Sequence, residues 1–303
     1  MKIVTTLIDP HLCTGCGLCI RVCPSDTISM QGDKAAVNGK ECLNCGHCAA
    51  VCPAGAVRVA ALENDALTFQ TFRQEDGWLS FGDFDTAALV RLMRSRRSCR
   101  NYTDRPVEKA LLEDLVKMGI TAPSGTNSQK WTFTLLSSRN QVLALREKIG
   151  DFFRRLNHMA EKKWLRTLLR CMGKPQLERY WQEYCESVKN ALSEYENSGR
   201  DRLFHGAAAA IIAGSEPGAS CPAEDALLAT QNILLGAHAL GLGTCLIGFA
   251  VEAMRRDKEI ARFAGIPEGE KVYSVIALGY PNEKYQRLTG RKKPIIRDAA
   301  IQI

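Results

Sequence analysis

Cysteine is the residue type in this chain that most clearly could do chemistry. The 303 residues include 13 cysteines, and eight of them fall before residue 53. Those eight form two runs of identical spacing, each closed by a proline: Cys13, Cys16, Cys19, Cys23 and Pro24, then Cys42, Cys45, Cys48, Cys52 and Pro53. Cysteine thiolates are soft ligands that suit iron–sulfur clusters and zinc. The spacing therefore predicts a metal-binding N-terminal module.

The C-x2-C-x2-C-x3-C-P spacing of each run resembles that of bacterial two-cluster ferredoxins, in which the fourth cysteine ligates the other cluster. The resemblance implies two [4Fe–4S] clusters. Cluster one would take Cys13, Cys16, Cys19 and Cys52, and cluster two would take Cys42, Cys45, Cys48 and Cys23. Paired C-x2-C motifs also make zinc sites, but zinc takes four ligands and here six closely spaced cysteines and two more are present. We expect His47 to be an exposed loop residue, because cysteines complete both ligand sets.

Basic residues form a second group that could bind a charged molecule. Arg96, Arg97, Ser98 and Arg100 follow an amphipathic segment, and guanidinium groups this close together can clamp a phosphate. Basic runs are also common on solvated surfaces, so this segment alone decides nothing. The next segment, APSGTNSQKWTF at 122–133, joins a predicted helix to a predicted strand.

Taken together, these segments resemble the FMN-dependent nitroreductase family. Five motifs carry the resemblance in order: 96–100 (RRSCR), 122–133, 241–248 (GLGTCLIG), 277–281 (ALGYP) and 291–294 (RKKP). They span about residues 85–298. Lys130 departs from the commoner family form, which often has proline there, and Lys292 stands where arginine is usual.

The resemblance implies a homodimer with FMN at the subunit interface. Arg96, Arg97, Ser98 and Arg100 would hold the phosphate and ribityl chain, and either Arg291 or Lys292 would add a phosphate contact. Pro123, Ser124, Gly125 and Asn127 would contact the flavin from the other subunit. Leu246, Ile247 and Gly248 would lie along the isoalloxazine. Because the flavin does the chemistry in this family, we predict no catalytic side chain.

The helices and strands that the sequence predicts around these residues indicate an α+β fold in two parts. A ferredoxin-like two-cluster module (1–62) is followed by a linker (63–83) and a nitroreductase-type α+β FMN domain (84–303). Hydrophobic periodicity predicts helices at 85–95, 107–120 and 222–240, strands at 130–137, 206–214 and 271–280, and a long helical stretch at 141–198 broken at 173–175. The linker should pack on the larger domain through Phe69, Phe72, Trp78 and Phe81.

Two features remain open at this level. The segment 151–205 matches no family motif, and its aromatic residues Trp164, Tyr180, Trp181 and Tyr184 either line a substrate face or pack between helices. The remaining cysteines, Cys99, Cys171, Cys185, Cys221 and Cys245, are expected to be buried small apolar side chains.

Charge and hydropathy restrict the possible partners. The formal net charge is +7, but two clusters and an FMN phosphate would cancel most of it, so nucleic acid is not expected. No secretory leader is evident, and a cysteine-rich chain without one is typical of metal binding in a reducing cytoplasm. The uncharged stretch 227–251 is interrupted by polar residues and glycines, so we expect a buried helix and a strand, not a membrane span.

These expectations predict an FMN-dependent oxidoreductase that passes electrons through two [4Fe–4S] clusters to or from FMN and reduces a nitroaromatic or quinone-like acceptor. The donor would be ferredoxin, flavodoxin or NAD(P)H, and the fused clusters favour ferredoxin. The alternatives are a specialised ferredoxin-linked reductase or dehydrogenase of an anaerobic pathway, a flavin-using dehalogenase, and an electron carrier or redox sensor without a substrate of its own.

Overall fold

Helices and antiparallel strands alternate along the chain in a computed structural model that describes residues 3–75, 77–299 and 301. This mixture confirms the predicted α+β class. The strands are β1 (Thr6–Ile8), β2 (Ile28–Gln31), β3 (Lys34–Val37), β4 (Val57–Val59), β5 (Trp131–Leu136), β6 (Ala209–Ser215), β7 (Gly243–Leu246) and β8 (Lys271–Gly279). The helices are α1 (Leu18–Arg21), α2 (His47–Ala50), α3 (Thr86–Ser95), α4 (Lys109–Gly119), α5 (Arg139–Glu161), α6 (Lys163–Cys171), α7 (Gln176–Tyr180), α8 (Glu186–Ser198), α9 (Pro222–Ala239), α10 (Gly248–Arg256) and α11 (Lys258–Phe263).

Two short antiparallel sheets form the N-terminal module. β1 pairs with β4, so the start and the end of the module are joined, and β2 pairs with β3. Each cysteine run ends in a four-residue helix, and a left-handed glycine precedes that helix: Gly17 (φ 72°) before α1 and Gly46 (φ 77°) before α2. Glycine adopts this conformation without steric cost. The sequence repeat is therefore matched by a structural repeat.

A four-stranded antiparallel sheet, ordered β5-β6-β8-β7, lies at the centre of the larger part of the chain. Alternate residues of β6 face opposite sides of this sheet. Ala209 and Ile211 join one apolar cluster, which includes residues of α4 and α9, whereas Ala210 and Ile212 join another, which includes residues of α5 and α10. Because both faces are covered by helices, every residue of β6 is buried.

The predicted elements are present with ends shifted by a few residues. The long helical stretch breaks near the predicted point, where α6 ends at Cys171, and also at Lys162, between α5 and α6. A turn of π-helix at Trp181–Cys185 joins α7 to α8 and was not expected. The uncharged stretch 227–251 holds the end of α9, then β7, then part of α10. Within residues 3–75, 77–299 and 301, no helix combines the length and apolarity that crossing a membrane requires.

The expected linker packing is wrong for two of its four aromatic residues. Phe69 and Phe72 are partly buried, and their ring centroids lie 4.6 Å apart. Trp78 and Phe81 are 78% and 95% exposed, so the prediction for these two is wrong. The linker is anchored instead by polar contacts, a kind that hydrophobic periodicity does not reveal.

Asp114 on α4 provides that anchor. Its fully buried carboxylate accepts hydrogen bonds from the backbone N–H groups of Gln70 (2.9 Å) and Thr71 (2.7 Å), and from the Thr71 hydroxyl (2.7 Å). Lys117 Nζ lies 3.2 Å from the same carboxylate and also donates to the Thr68 carbonyl. Burial alone would raise the pKa of Asp114, but the hydrogen bonds from Thr71, Gln70 and Lys117 outweigh it and lower the pKa.

Candidate functional site

The second cysteine run and the last cysteine of the first run surround one cavity. Cys23, Cys42, Cys45 and Cys48 all line it, and these are the four residues predicted to ligate cluster two. The crossed arrangement follows from the fold, because α1 and α2 pack together and bring the end of each run beside the start of the other.

The first three cysteines of the first run also lie close together. Burial raises the pKa of the Cys19 thiol, and the neighbouring sulfurs of Cys13 and Cys16 raise it further. Backbone N–H groups point at several sulfurs, with Asn44 N 3.3 Å from Cys42 Sγ and Ala56 N 3.3 Å from Cys52 Sγ. Such N–H groups stabilise thiolates and tune the potential of iron–sulfur clusters. The donor set and its surroundings fit [4Fe–4S] ligation.

A single-ion site fits less well. Among the described residues, no three His, Cys, Asp or Glu side chains come close enough together to hold one metal ion. A cubane needs its four thiolates spread over four iron corners, whereas tetrahedral zinc gathers them around one atom. His47 is exposed at the start of α2, as expected for a residue that is not a ligand, although it lies in a helix and not a loop.

The basic segment at 96–100 is fixed to the edge of the large sheet. Ser98 forms a parallel bridge with Thr244 of β7, and Cys99 N donates to the Thr244 carbonyl at 2.8 Å. Gly243 permits this approach, because a Cβ there would lie 2.7 Å from Cys99 Cβ. The GLG motif of the sequence thus supports the position of the basic segment.

Three arginines converge beside this edge, at a cavity of about 420 Å³ that Arg96 and Arg97 line. Burial lowers the pKa of Arg96, and the positive charges of Arg291 and Arg97 lower it further. The Thr289 hydroxyl lies within hydrogen-bond distance of both Arg97 (2.8 Å) and Arg291 (3.4 Å). In the described chain, no carboxylate forms an ion pair with any of these three arginines. Guanidinium groups without an ion-pair partner around a cavity fit a phosphate dianion. Arg291 joins this group through Thr289 and through the effect of its charge on Arg96, which favours it over Lys292 as the phosphate contact.

The loop at 123–129 is held by the N-terminal turn of α9. The buried carboxylate of Asp225 accepts hydrogen bonds from Gly125 N (2.8 Å) and Ser128 Oγ (3.1 Å). Thr126 and Asn127 have φ angles of 50° and 53°, a left-handed conformation that such anchoring must stabilise. The sequence analysis missed Asp225. It lies in the first turn of α9, about 100 residues after the loop, and only the fold brings the two together.

Asn127 links this loop to the cysteine module. Its Nδ2 donates to the carbonyls of Asn44 (2.9 Å) and Leu43 (3.3 Å), the two residues between Cys42 and Cys45. Asn44 is itself held on the module, because its Nδ2 donates to the Ile3 carbonyl and its Oδ1 accepts from Thr5 Oγ1, both at 3.1 Å. The loop predicted to touch flavin therefore touches the loop predicted to hold cluster two.

A second cavity, of about 690 Å³, lies beside the end of β7. Four of the predicted flavin residues line it: Arg100, Leu246, Ile247 and Gly248. Pro123, Ser124, Gly125 and Asn127 line neither of the two large cavities in the part of the chain that is described. The predicted phosphate contacts Arg96 and Arg97 thus line one cavity, and the predicted ring contacts line the other.

The segment 151–205 supplies much of that cavity's wall. Tyr180 and Tyr184 line it, whereas Trp164 is 66% exposed and the Trp181 ring packs under the Arg166 guanidinium. His205 also lines the cavity and was missed by the sequence analysis. Its φ of 59° is unusual for a residue other than glycine, and burial lowers its pKa. The predicted burial of the remaining five cysteines is confirmed for Cys99, Cys185 and Cys245. It is wrong for Cys171 and Cys221, which are exposed.

Comparison with known proteins decides the family. The nitroreductase family model matches residues 93–280, and a 4Fe-4S dicluster domain model matches residues 5–53. The chain belongs to the nitroreductase family. It is an FMN-dependent oxidoreductase of this family with an N-terminal 4Fe-4S domain, as its motifs predicted.

Several known proteins are similar to this nitroreductase-family chain. An NADH dehydrogenase of Thermus thermophilus is 27% identical over 204 residues, which cover 67% of this chain and 88% of the relative. An iodotyrosine dehalogenase 1 homolog of Caenorhabditis elegans is 26% identical over 210 residues, covering 67% of this chain and 58% of the relative. A crystal structure of a nitroreductase with bound FMN from Bacteroides fragilis aligns with a TM-score of 0.46 at 22% identity, covering 71% of this chain and 97% of that one.

Proposed function

We propose that this enzyme passes electrons from an external donor through two [4Fe–4S] clusters to FMN, and so reduces a small organic acceptor such as a nitroaromatic or quinone-like compound. Clusters exchange single electrons, and FMN exchanges one or two. Cluster one is held by Cys13, Cys16, Cys19 and Cys52, and cluster two by Cys42, Cys45, Cys48 and Cys23. Residues 1–62 form the ferredoxin domain, 63–83 the linker and 84–303 the FMN domain.

The FMN-binding residues of this proposal divide by the part of the cofactor that they hold. Arg96, Arg97 and Arg291 bind the phosphate, because three converging guanidinium groups need a multiply charged anion. Ser98 and Arg100 follow the ribityl chain toward the second cavity, where Leu246, Ile247 and Gly248 support the ring. The loop of Pro123, Ser124, Gly125 and Asn127 completes the site of a second subunit.

A homodimer accounts for apolar surface that one chain leaves uncovered. Helix α3 is amphipathic, yet none of its residues is buried. Leu89, Val90 and Met93 are 36%, 44% and 47% exposed, and Phe84 just before the helix is 54% exposed. Contiguous apolar surface of this kind marks an interaction site. We expect the holoenzyme to sediment as a dimer, with α3 in the interface.

The observation that carries the electron path is the contact between Asn127 and the backbone at Leu43 and Asn44. It fixes the cluster-two loop directly on the loop that serves FMN, so cluster two is the immediate electron partner of the flavin and cluster one faces the external donor. Ferredoxin, flavodoxin and NAD(P)H remain the candidate donors.

Anaerobic reduction of the holoenzyme tests this path. We expect about eight iron atoms and about one FMN per chain, and rapid bleaching of the flavin after the clusters are reduced by a single-electron donor. The variant Asn127→Ala should slow cluster-to-flavin transfer while iron content stays unchanged. Asn197→Ala, which removes a surface side chain bonded to Ser193, is the control. Transfer at the wild-type rate in Asn127→Ala, at equal FMN occupancy, contradicts the proposed path.

Reductive dehalogenation is a second candidate activity, favoured by the likeness to the iodotyrosine dehalogenase homolog. A panel of nitroaromatics, quinones and iodophenols, each assayed for product with the reduced enzyme, separates the two. Turnover of none of them, with full iron and FMN, would instead favour an electron carrier without a substrate.

A further inference from the structure

The cavity beside β7 is lined by more residues than the predicted flavin contacts. Its volume is about 690 Å³, and the further residues of its wall come from α5, from α7, from the π-helical turn, from the segment before β6 and from α10 beyond Gly248. Much of this wall lies in the segment 151–205, outside the five sequence motifs. The residues of the wall indicate what the cavity accepts.

Four aromatic rings form a connected group on that wall. Tyr184 and Phe249 meet edge to face at 5.9 Å, Phe249 meets Phe153 at 5.5 Å, and Phe153 stacks near Tyr180 at 6.4 Å. Phe153 and Tyr180 are 4% and 9% exposed, whereas Tyr184 and Phe249 remain 44% and 40% exposed. Phe153 and Tyr180 thus form the buried base of the group, and Tyr184 and Phe249 leave surface free to contact the aromatic ring of a ligand.

The base of this group is rigid. The Tyr180 hydroxyl donates to the buried Asn157 Oδ1 at 2.6 Å. At the next residue, the Trp181 ring centroid lies 4.3 Å from the guanidinium of Arg166 on α6, which donates to Glu178 at 3.1 Å. The π-helical turn follows immediately, and such turns are frequent at functional sites. A fixed aromatic surface binds a ring with little loss of side-chain entropy.

The rim of the cavity carries positive charge. Arg202 pairs with Glu194, and Arg256 pairs with Glu252. Arg179 lines the cavity, is exposed, and has no acidic partner among the residues that the structure describes. A planar guanidinium beside an aromatic surface matches a carboxylate on an aromatic ring, because it can donate two parallel hydrogen bonds to it.

We propose that this cavity binds an aromatic carboxylate, with its ring against Tyr184 and Phe249 and its carboxylate on Arg179. The proposal rests on the proposed function in one respect, since the acceptor lies where Leu246 and Gly248 would support the flavin. It adds the requirement for an anionic substituent on the acceptor.

Equilibrium binding to the oxidised holoenzyme, with no electron donor present, tests this inference. The probes are 4-nitrobenzoate and its neutral analogue 4-nitrobenzamide, measured by calorimetry. We expect the acid to bind at least about tenfold more tightly, as one charge-assisted contact provides. Arg179→Gln should abolish that difference without changing the affinity for the amide, and Tyr184→Leu should weaken both probes. Lys174→Gln, which removes an exposed cation outside the cavity lining, is the matched control and should change neither affinity.

Equal affinity for the two probes would overturn the inference, as would equal effects of Arg179→Gln and Lys174→Gln. The measurement is independent of turnover. If the acid binds as predicted but is not reduced, the inference stands and the proposed electron path or acceptor class fails. If 4-nitrobenzamide is reduced as efficiently as the acid and binds equally well, the proposed function stands and this inference fails.

Discussion

Replacing Asp114 with asparagine should release the linker from the FMN domain. The carboxylate accepts two backbone N–H groups and one hydroxyl from Gln70 and Thr71, all at 2.9 Å or less. All three bonds end on Oδ2, so an asparagine that keeps its oxygen there still accepts them but has lost the negative charge, and its NH2 group faces Lys117 Nζ, 3.2 Å from Oδ1. A hydrogen bond to a charged group contributes about 1.5–3 kcal/mol, and a bond to a neutral group about 0.5–1.5 kcal/mol. Lys117 can still donate its hydrogen bond to the Thr68 carbonyl, which limits the loss. We therefore expect local stability to fall by about 2–4 kcal/mol.

Hydrogen exchange at the amides of Gln70 and Thr71 measures this loss directly. Exchange from a locally opened state reports its free energy, so a loss of 2–4 kcal/mol should speed exchange by about 30-fold to 1,000-fold. The matched control is Glu108→Gln, which removes an exposed carboxylate at the residue before the same helix. A surface substitution of this kind changes stability by at most about 0.5 kcal/mol. Unchanged protection at both amides in Asp114→Asn would refute the reasoning.

The sign of the pH dependence follows from the same contacts. The pKa of Asp114 is lower in the folded chain than in the unfolded chain, where a carboxyl of this type titrates near about 3.9. Its stabilisation is therefore complete above that pH and is lost as the pH falls through the lowered folded value. Amide protection at Gln70 and Thr71 should fall in that acid range in the wild type and show no such titration in Asp114→Asn.

Three other predictions concern the cofactor sites. Cys16→Ser should remove about four of about eight iron atoms and leave FMN content unchanged, whereas Cys171→Ser, an exposed cysteine outside both runs, should change neither quantity. Arg96→Gln should weaken FMN binding about 10-fold to 100-fold through loss of one charge-assisted contact and keep full iron, with the exposed Arg58→Gln as control; normal FMN retention would exclude Arg96 from the phosphate site. Gly243→Ala should destabilise the chain by about 1–3 kcal/mol through overpacking, because its Cβ would lie 2.7 Å from Cys99 Cβ; Gly290→Ala, where nothing lies within 4 Å, should unfold like the wild type.

The sequence predicted those features that short-range patterns encode. Strand β6 is a continuous run of small and branched apolar residues, and such a run indicates a strand covered on both faces. The spacing of each cysteine run likewise reflects a loop that must curl around one object. The sequence did not predict the long-range polar contacts. Asp114 and Asp225 are ordinary acidic residues of amphipathic helices in the sequence, and only the fold brings them to irregular segments 44 and 100 positions away.

Burial in an assembly was a second limit of sequence reasoning. Trp78 and Phe81 were expected to pack on the larger domain because aromatic side chains rarely stay in water, yet one chain leaves both exposed. The same is true of the apolar residues on α3. Periodicity identifies a face that must be covered but not the chain that covers it. The proposed homodimer would supply a second chain to cover both groups of residues.

The three anchoring side chains explain how a small module can serve a larger domain. Asp114 holds the linker, Asp225 holds the loop proposed to contact FMN, and Asn127 joins that loop to the turn between Cys42 and Cys45. Each binds backbone groups of a segment without regular structure, so each fixes a position that no sheet or helix would define. A mobile tether would leave the distance between cluster two and the flavin variable. In the proposed electron path these contacts would keep it constant, and a fixed distance is what repeated single-electron transfer between two bound cofactors requires.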